Sequence, residues 1–268
     1  MATTAEDKLP LTVAIIAFNA GRQIGPCLAS VAPFADEILV VDSGSTDDTV
    51  EIARRHGARV ESKEWLGFGR QKQYAVSIAS NDWVLCLDTD ERVSEALAAA
   101  IRESFSGERY KAYRIARRNR FLGRWLAHGE GYPDWTLRMF HRMSASWSND
   151  EVHETVLTTA EVGRLAGDLM HDSAEDVATY VIKQNRYTTL HAESLYKQGV
   201  RASAWRLLAS PVARFVKFFI LRLGFLDGGP GFAHIVIGCH STFLKYLKLI
   251  EMQRGERDVK STFERHAP

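Results

Sequence analysis

The chain has 268 residues, 46% of them hydrophobic and 25% charged, which suits one large domain, or one domain with an appendage, and argues against wholesale disorder. A formal net charge of +1 argues against a nucleic-acid binder that works by bulk electrostatics. Three cysteines, Cys27, Cys86 and Cys239, lie far apart with no CxxC, which fits a reducing compartment and gives no zinc signal.

The opening stretch MATTAEDKLP lacks a basic and then apolar leader, so no secretory signal is expected. LTVAIIAF, residues 11–18, reads as the first strand, followed by a turn at Asn19-Ala20-Gly21 and a helix to about Val31. Ile38 to Val41 reads as a second buried strand, with a helix from Thr49 to about His56 and a short third strand from Arg59 to Glu61. A loop with Gly67 and Gly69 leads into a helix at about 70–79. Trp83 to Leu87 is a further buried strand, with Cys86 as a small core residue, and Glu95 to Phe105 a helix. Strands alternating with helices imply parallel βαβ units. Beyond Gly107 the pattern is mixed, with strands expected in KAYRIAR, TLRMFHR and ETVLTT, and from about Asp176 it turns helical. The expected organisation is an α/β domain over residues 1–175 and a helical region over 176–268.

Two strand ends carry chemistry. The second strand stops at Asp42 and runs into Ser43-Gly44-Ser45-Thr46-Asp47-Asp48. A helix cap accounts for one of these hydroxyls or acids and a turn for Gly44, but neither accounts for Asp42. In open α/β sheets the carboxyl end of a strand is where ligands bind. The strand at 83–87 ends likewise, in Asp88-Thr89-Asp90-Glu91. Carboxylates two residues apart at a bend offer hard oxygens that suit Mg²⁺ or Mn²⁺, although acids are also common at helix starts.

Phe18-Asn19 at the first strand end, DSGSTD at 42–47, Lys72 on the next helix and DTDE at 88–91 come in that order. In this combination the sequence resembles glycosyltransferase family 2 of the GT-A fold, over roughly residues 11–175. The resemblance implies a nucleotide-sugar donor, with the backbone at Ala17, Phe18 and Asn19 flanking a uracil, Asp42 beside the same base, Asp88 near the ribose and Asp90 on a divalent metal at the diphosphate. VDSGSTDDT, GFGRQKQYA, DWVLCLDTDERV, VHE, LMHDS and RYTTLHAE together resemble the bacterial lipopolysaccharide-core β-1,4-glucosyltransferases. That narrower likeness implies transfer of glucose from UDP-glucose to an inner-core heptose or a related glycolipid.

Inverting transfer needs a base for the acceptor hydroxyl and stabilisation of the departing diphosphate. SNDEVHE offers Asp150, Glu151 and Glu154 as the base, and Glu154 is selected because V-H-E matches the narrower family. His171 has two readings, a further metal ligand or a core histidine bonded to a backbone carbonyl. Lys72 also has two, a diphosphate contact or an exposed helix lysine. Trp135 and Arg138 are expected to hold a sugar face and an anionic group of the acceptor, with a packed aromatic and an ion pair as the alternatives.

Residues 203–226 contain Arg206, Arg214, Lys217 and Arg222 among aromatics, with no acid and no apolar run of spanning length. This suits a helix in a membrane interface, or a core-packing helix with solvated basic groups. The expected location is cytoplasmic, peripheral on the inner membrane. Two other classes were weighed. A sugar nucleotidyltransferase would want a Gly-rich, basic loop after the first strand, which residues 18–22 match poorly. A non-catalytic nucleotide-binding membrane protein would have no use for an intact Asp88-x-Asp90 and Glu154.

Overall fold

The computed structural model describes residues 8–107, 109–149, 154–172 and 176–265. In chain order the elements are β1 (Leu9–Ala17), α1 (Ile24–Val31), β2 (Ala35–Asp42), α2 (Thr49–Arg55), β3 (Arg59–Ser62), α3 (Phe68–Ser77), β4 (Trp83–Leu87), β5 (Glu91–Val93) and α4 (Glu95–Phe105). There follow β6 (Ala112–Phe121), β7 (Arg124–Trp125), β8 (Asp134–His141), β9 (Ala145–Trp147), β10 (Val156–Thr158) and β11 (Val162–His171). The chain ends in α5 (Val177–Lys197), α6 (Ala204–Phe215), a π-helical turn (Val216–Leu221), a 3-10 turn (Gly224–Asp227) and α7 (Gly228–Arg265). Its contacts divide it into two units, residues 1–120 with 133–173, and residues 121–132 with 174–268.

In the first unit the main sheet runs β3-β2-β1-β4-β8-β6-β11-β5. The first four strands are parallel, as the alternating pattern predicts. β8 is antiparallel to β4 and to β6, β11 lies parallel to β6, and β5 runs antiparallel to β11. β1 is apolar almost throughout because both its faces are covered. Leu11, Val13 and Ile15 alternate onto one face, against Ile24, Leu28 and Val31 of α1 and Leu97 and Ile101 of α4. Ala14, Val41, Val84 and Cys86 line the other face, against Ala75, Val76 and Ala79 of α3. Leu97 and Ile101 are fully buried one helical turn apart, and each such side chain contributes roughly 1.5–3 kcal/mol.

This topology sets the positions of the strand ends. β1 lies between β2 and β4, so Ala17, Asp42 and Leu87 all reach the same edge of the sheet. β11 arrives beside β5 with His171 opposite Glu91, one residue from Asp90.

The expected strands and helices of the α/β half are present, with boundary shifts of a few residues. β2 begins at Ala35, earlier than the apolar run, because Glu37 is tied down by Thr12, Arg59 and Ser80. β5, β7, β9 and the whole of β11 have no counterpart among the expected strands. β11 escapes a period-two pattern because its register with β6 shifts between Arg164 and Asp168, where Gly167 sits at φ +87°. At that bulge Ser94 Oγ, the N-cap of α4, accepts from the N–H of Leu97 at 3.2 Å and of Asp168 at 3.1 Å.

In the second unit Asp176 caps α5 by accepting from Thr179 N–H at 2.7 Å. Ser203 caps α6 by accepting from Arg206 N–H at 3.3 Å. Residues 121–132, placed in the first domain by the sequence expectation, belong to this unit. Buried Asp227 accepts from the backbone N–H of Ala127 and His128, and Arg214 forks onto Glu130. No helix among the described residues is long and apolar enough to cross a membrane.

A methyl group on Gly167 would stand 2.3 Å from the backbone nitrogen of Leu97 at a φ that side chains rarely adopt. Gly167→Ala should therefore destabilise the protein by at least about 2 kcal/mol, read as a lowered denaturant midpoint. An unchanged midpoint would mean that the α4–β11 junction yields freely.

Candidate active site

The hydroxyl-rich turn after β2 is laced to the turn after β1. Asp42 is buried, and its Oδ2 accepts from the N–H groups of Gly44 and Ser45, both at 3.0 Å, while Oδ1 accepts from Ser45 Oγ at 2.5 Å. Ser45 Oγ accepts in turn from Asn19 N–H at 2.8 Å, and Asn19 Oδ1 accepts from Thr46 N–H at 2.8 Å. Ala20 N–H donates to Thr49 Oγ1 at 2.7 Å and Gly21 N–H to Asp47 Oδ2 at 3.0 Å. Asn19 has φ +47°, a left-handed conformation that asparagine tolerates better than bulkier residues. Each small polar residue of the motif thus has a partner, and Asp42 organises the turn while its carboxylate keeps lone pairs for a further donor. Gln71 of α3 braces the same turn, donating to Ser43 Oγ at 3.1 Å and Lys63 O at 3.3 Å. Phe18 lies just beyond β1 and is exposed.

Behind Asp88 sits a buried cluster of charges. Lys72 of α3 is buried, and its Nζ lies 3.0 Å from Asp88 Oδ1 and 3.1 Å from Glu154 Oε1, over the ring of Trp147. Arg138 of β8 is also buried and donates from one Nη2 to Asp88 Oδ2 and Glu91 Oε1, each at 2.8 Å. Glu91 Oε2 accepts from Asp88 N–H at 2.9 Å. Burial opposes charge on Asp88, but the Arg138 guanidinium and then the Lys72 ammonium prevail and hold its carboxyl well below the usual carboxylate range. Burial pushes the Glu91 carboxyl up; Arg138 opposes this, and the charge on Asp88 adds to the rise. Arg138, expected at the acceptor, is buried and directs its Nη2 to these two carboxylates. Lys72 is not an exposed helix lysine, and its ammonium is already engaged by two carboxylates where a diphosphate contact was expected.

Asp90 points elsewhere. Its Oδ2 lies 3.2 Å from His171 Nε2, and both side chains are partly open to solvent. His171 Nδ1 lies 2.7 Å from Asn119 Oδ1, a side-chain oxygen rather than the backbone carbonyl of the core-histidine reading. An amide oxygen can only accept, so Nδ1 carries the proton. Nε2 faces the Asp90 carboxylate, and in the neutral imidazole its lone pair and that oxygen together form an arrangement that a cation between or beside them satisfies. Among the described residues no third His, Cys, Asp or Glu completes a metal site. Two protein ligands with open positions fit a hard cation that takes its other oxygens from phosphate and water.

Trp135 of β8 is partly exposed with Arg164 4.8 Å over its ring. Asp150 and Glu151 lie outside the described residues. Glu154 precedes β10 instead of lying within a strand, so alternation does not decide its direction. The sequence alone points to no role for Glu91, Asn119, Trp147 or Gln71. Glu91 and Gln71 stood inside the quoted motifs, whereas Asn119 and Trp147 had no local signal.

A family model described as Glycosyl transferase family 2 matches residues 12–158. The uncharacterized glycosyltransferase RT0209 of Rickettsia typhi is 34% identical over 257 residues, covering 91% of this chain and 88% of its own. The lipopolysaccharide core biosynthesis glycosyltransferase LpsC of Rhizobium meliloti is 28% identical over 252 residues, covering 91% and 93%. The crystal structure of S. aureus TarS in complex with UDP-GlcNAc aligns over 92% of each chain with a TM-score of 0.51 at 13% identity, a likeness of fold.

Lys72→Met would leave Asp88 and Glu154 facing each other without their shared cation. Breaking a buried pair in this way typically costs about 3–5 kcal/mol. Lys72→Met/Glu154→Gln should recover at least about 1 kcal/mol of that loss in chemical denaturation. Strictly additive losses would show that the ammonium does not link the two carboxylates.

Proposed function

Because the chain belongs to glycosyltransferase family 2, we propose that it is an inverting, metal-dependent hexosyltransferase acting on a lipopolysaccharide inner-core heptose or a related glycolipid, with UDP-glucose as donor. The observation that carries this reading is the open pair of Asp90 and His171 beside the charge-locked Asp88 at one edge of the sheet. The likeness to LpsC supports the acceptor class. A lipid-borne acceptor puts the enzyme at the cytoplasmic face of the inner membrane.

The backbone of Ala17 to Asn19 and the carboxylate of Asp42 form a rigid seat for the uracil, fixed in advance by the lacing of the two turns. Asp88, oriented by Lys72 and Arg138, receives ribose hydroxyls on its remaining lone pairs. Asp90 and His171 would hold the divalent metal, with Asn119 orienting the imidazole. When bound, Mg²⁺ or Mn²⁺ supplies charge stabilisation to the departing UDP. Glu154 takes the proton of the attacking hydroxyl, and the Lys72 ammonium holds that carboxylate in place. Trp135, with Arg164 on its ring, offers the acceptor an aromatic face and a cation.

The reading is tested by UDP release from a panel of sugar nucleotides with Mn²⁺ and truncated lipopolysaccharide. Release with UDP-glucose above the other donors supports it, and release with none overturns it. Asp90→Asn keeps shape but removes the ligand charge, so calorimetry should show that Mn²⁺ no longer strengthens UDP binding; undiminished Mn²⁺ dependence would exclude the role. Glu154→Gln should lower kcat by about 100-fold or more while sparing UDP affinity, since base catalysis typically supplies 10²–10⁴. Near-normal turnover would assign the proton transfer to Asp150 or Glu151.

A further inference from the structure

The helix α6 is apolar on two sides. Leu207, Pro211, Arg214 and Phe218 are partly buried and mark its inward face. On the other side Trp205, Leu208 and Val212 are 78%, 63% and 63% exposed, and Val216, Ile220 and Leu223 continue the exposed row. At about 100° per residue, Trp205, Leu208, Val212 and Val216 fall within about 80° of one another. After Val216 the chain takes the wider π-helical turn (Val216–Leu221), and Ile220, four residues on, stays on the exposed side. Leu221, Phe225 and Leu226 extend the exposed apolar surface at the end of the segment. A surface helix needs one apolar stripe to pack, so a second, solvent-facing one calls for a partner.

The charges say which kind. Residues 203–226 hold four basic side chains and no acid. Arg214 is taken up by Glu130 and Thr242, and Arg222 donates to Tyr132 O at 3.0 Å. Arg206 and Lys217 remain exposed, and on the same wheel they stand together on one flank, about 100–120° round from Trp205. Arg206 lies 5.9 Å from the Tyr246 ring centre and Lys217 5.2 Å from that of Phe218. An apolar row beside basic heads on long stems is the arrangement of a helix lying in a lipid interface. Self-pairing of the stripe would bring like charges together.

We propose that the exposed stripe from Trp205 to Leu223 seats the protein on an anionic lipid bilayer, with Arg206 and Lys217 reaching the headgroups. The seat is independent of which donor and acceptor the enzyme uses. It rests on α6 and the turn after it.

Co-sedimentation of the full chain with phosphatidylglycerol-containing vesicles at low salt, without donor or acceptor, reads the proposal directly. Wild type should bind these vesicles and bind pure phosphatidylcholine vesicles much less. Leu208→Asp/Val212→Asp changes only exposed positions and should weaken binding at least tenfold. Arg206→Gln/Lys217→Gln should weaken it by up to about 25-fold and remove most of the salt dependence, at about 1 kcal/mol per basic residue. UDP release with a soluble acceptor is measured on each variant, which separates a failed seat from a failed reaction. Absence of wild-type vesicle binding at low salt overturns the proposal, as does binding that the Leu208→Asp/Val212→Asp variant retains. Concentration-dependent dimers that this variant abolishes, with no vesicle binding, would make the stripe an interface between two copies and also overturn it.

Discussion

The site depends on two cations buried among carboxylates at the end of β4. Arg138 and Lys72 grip opposite oxygens of Asp88, and each holds a second acid, Glu91 and Glu154 respectively. Desolvating such groups costs several kcal/mol per ion, and their mutual attraction offsets this only when geometry and hydrogen bonds are good. The cluster is therefore weak evidence for stability and stronger evidence for position. It ties together α3, β4, β5, β8 and the segment before β10, which in sequence are scattered from Lys72 to Glu154.

A second kind of rigidity surrounds it. The turns after β1 and β2 have little apolar material with which to pack, so their shape is set by hydrogen bonds between Asn19, Ala20, Gly21 and the Ser45–Thr49 stretch. Individually such bonds contribute about 0.5–1.5 kcal/mol net. Together they fix the two turns at the carboxyl ends of parallel strands, where the backbone is already aimed outward. A ligand that bound at these turns would have little loop ordering to impose, which lowers the cost of binding.

Much of this was legible in the sequence, and the limits have physical causes. β1, β2 and β4 announced themselves because parallel strands covered on both faces are continuous apolar runs. Asp42 and Asp88 stand out because a carboxylate at the end of such a run has no packing reason to be there, and Asp90 follows two residues later. β11 was missed because its bulge at Gly167 breaks the alternation, although its last residue, His171, was singled out. The engagement of Lys72 and Arg138 was hidden for a different reason. A lysine on a helix and an arginine on a strand look the same in sequence whether their partners are solvent, substrate or a buried acid, and the partners here are up to 82 residues away. In the helical region the sequence revealed the basic character of 203–226 but not that Arg214 and Arg222 are used internally.

The two acids of Asp88-Thr89-Asp90 show what a spacing of two residues accomplishes. Asp88 turns inward, and Arg138 and Lys72 compensate its charge before any ligand arrives. Asp90 turns toward β11, where antiparallel pairing with β5 has set His171 opposite Glu91. Had both carboxylates faced the same opening, their mutual repulsion would have raised one pKa and weakened the pair as a ligand set. Locking one and leaving the other open keeps a solvent-accessible carboxylate at this end of the sheet beside a neighbouring acid whose charge is already compensated. Glu91, one residue further on, accepts from the Asp88 N–H and offers Arg138 its second carboxylate, and both contacts make this separation hold. The motif is therefore better described as three acids in two directions than as a pair: Asp88 and Glu91 converge on Arg138, and Asp90 faces His171.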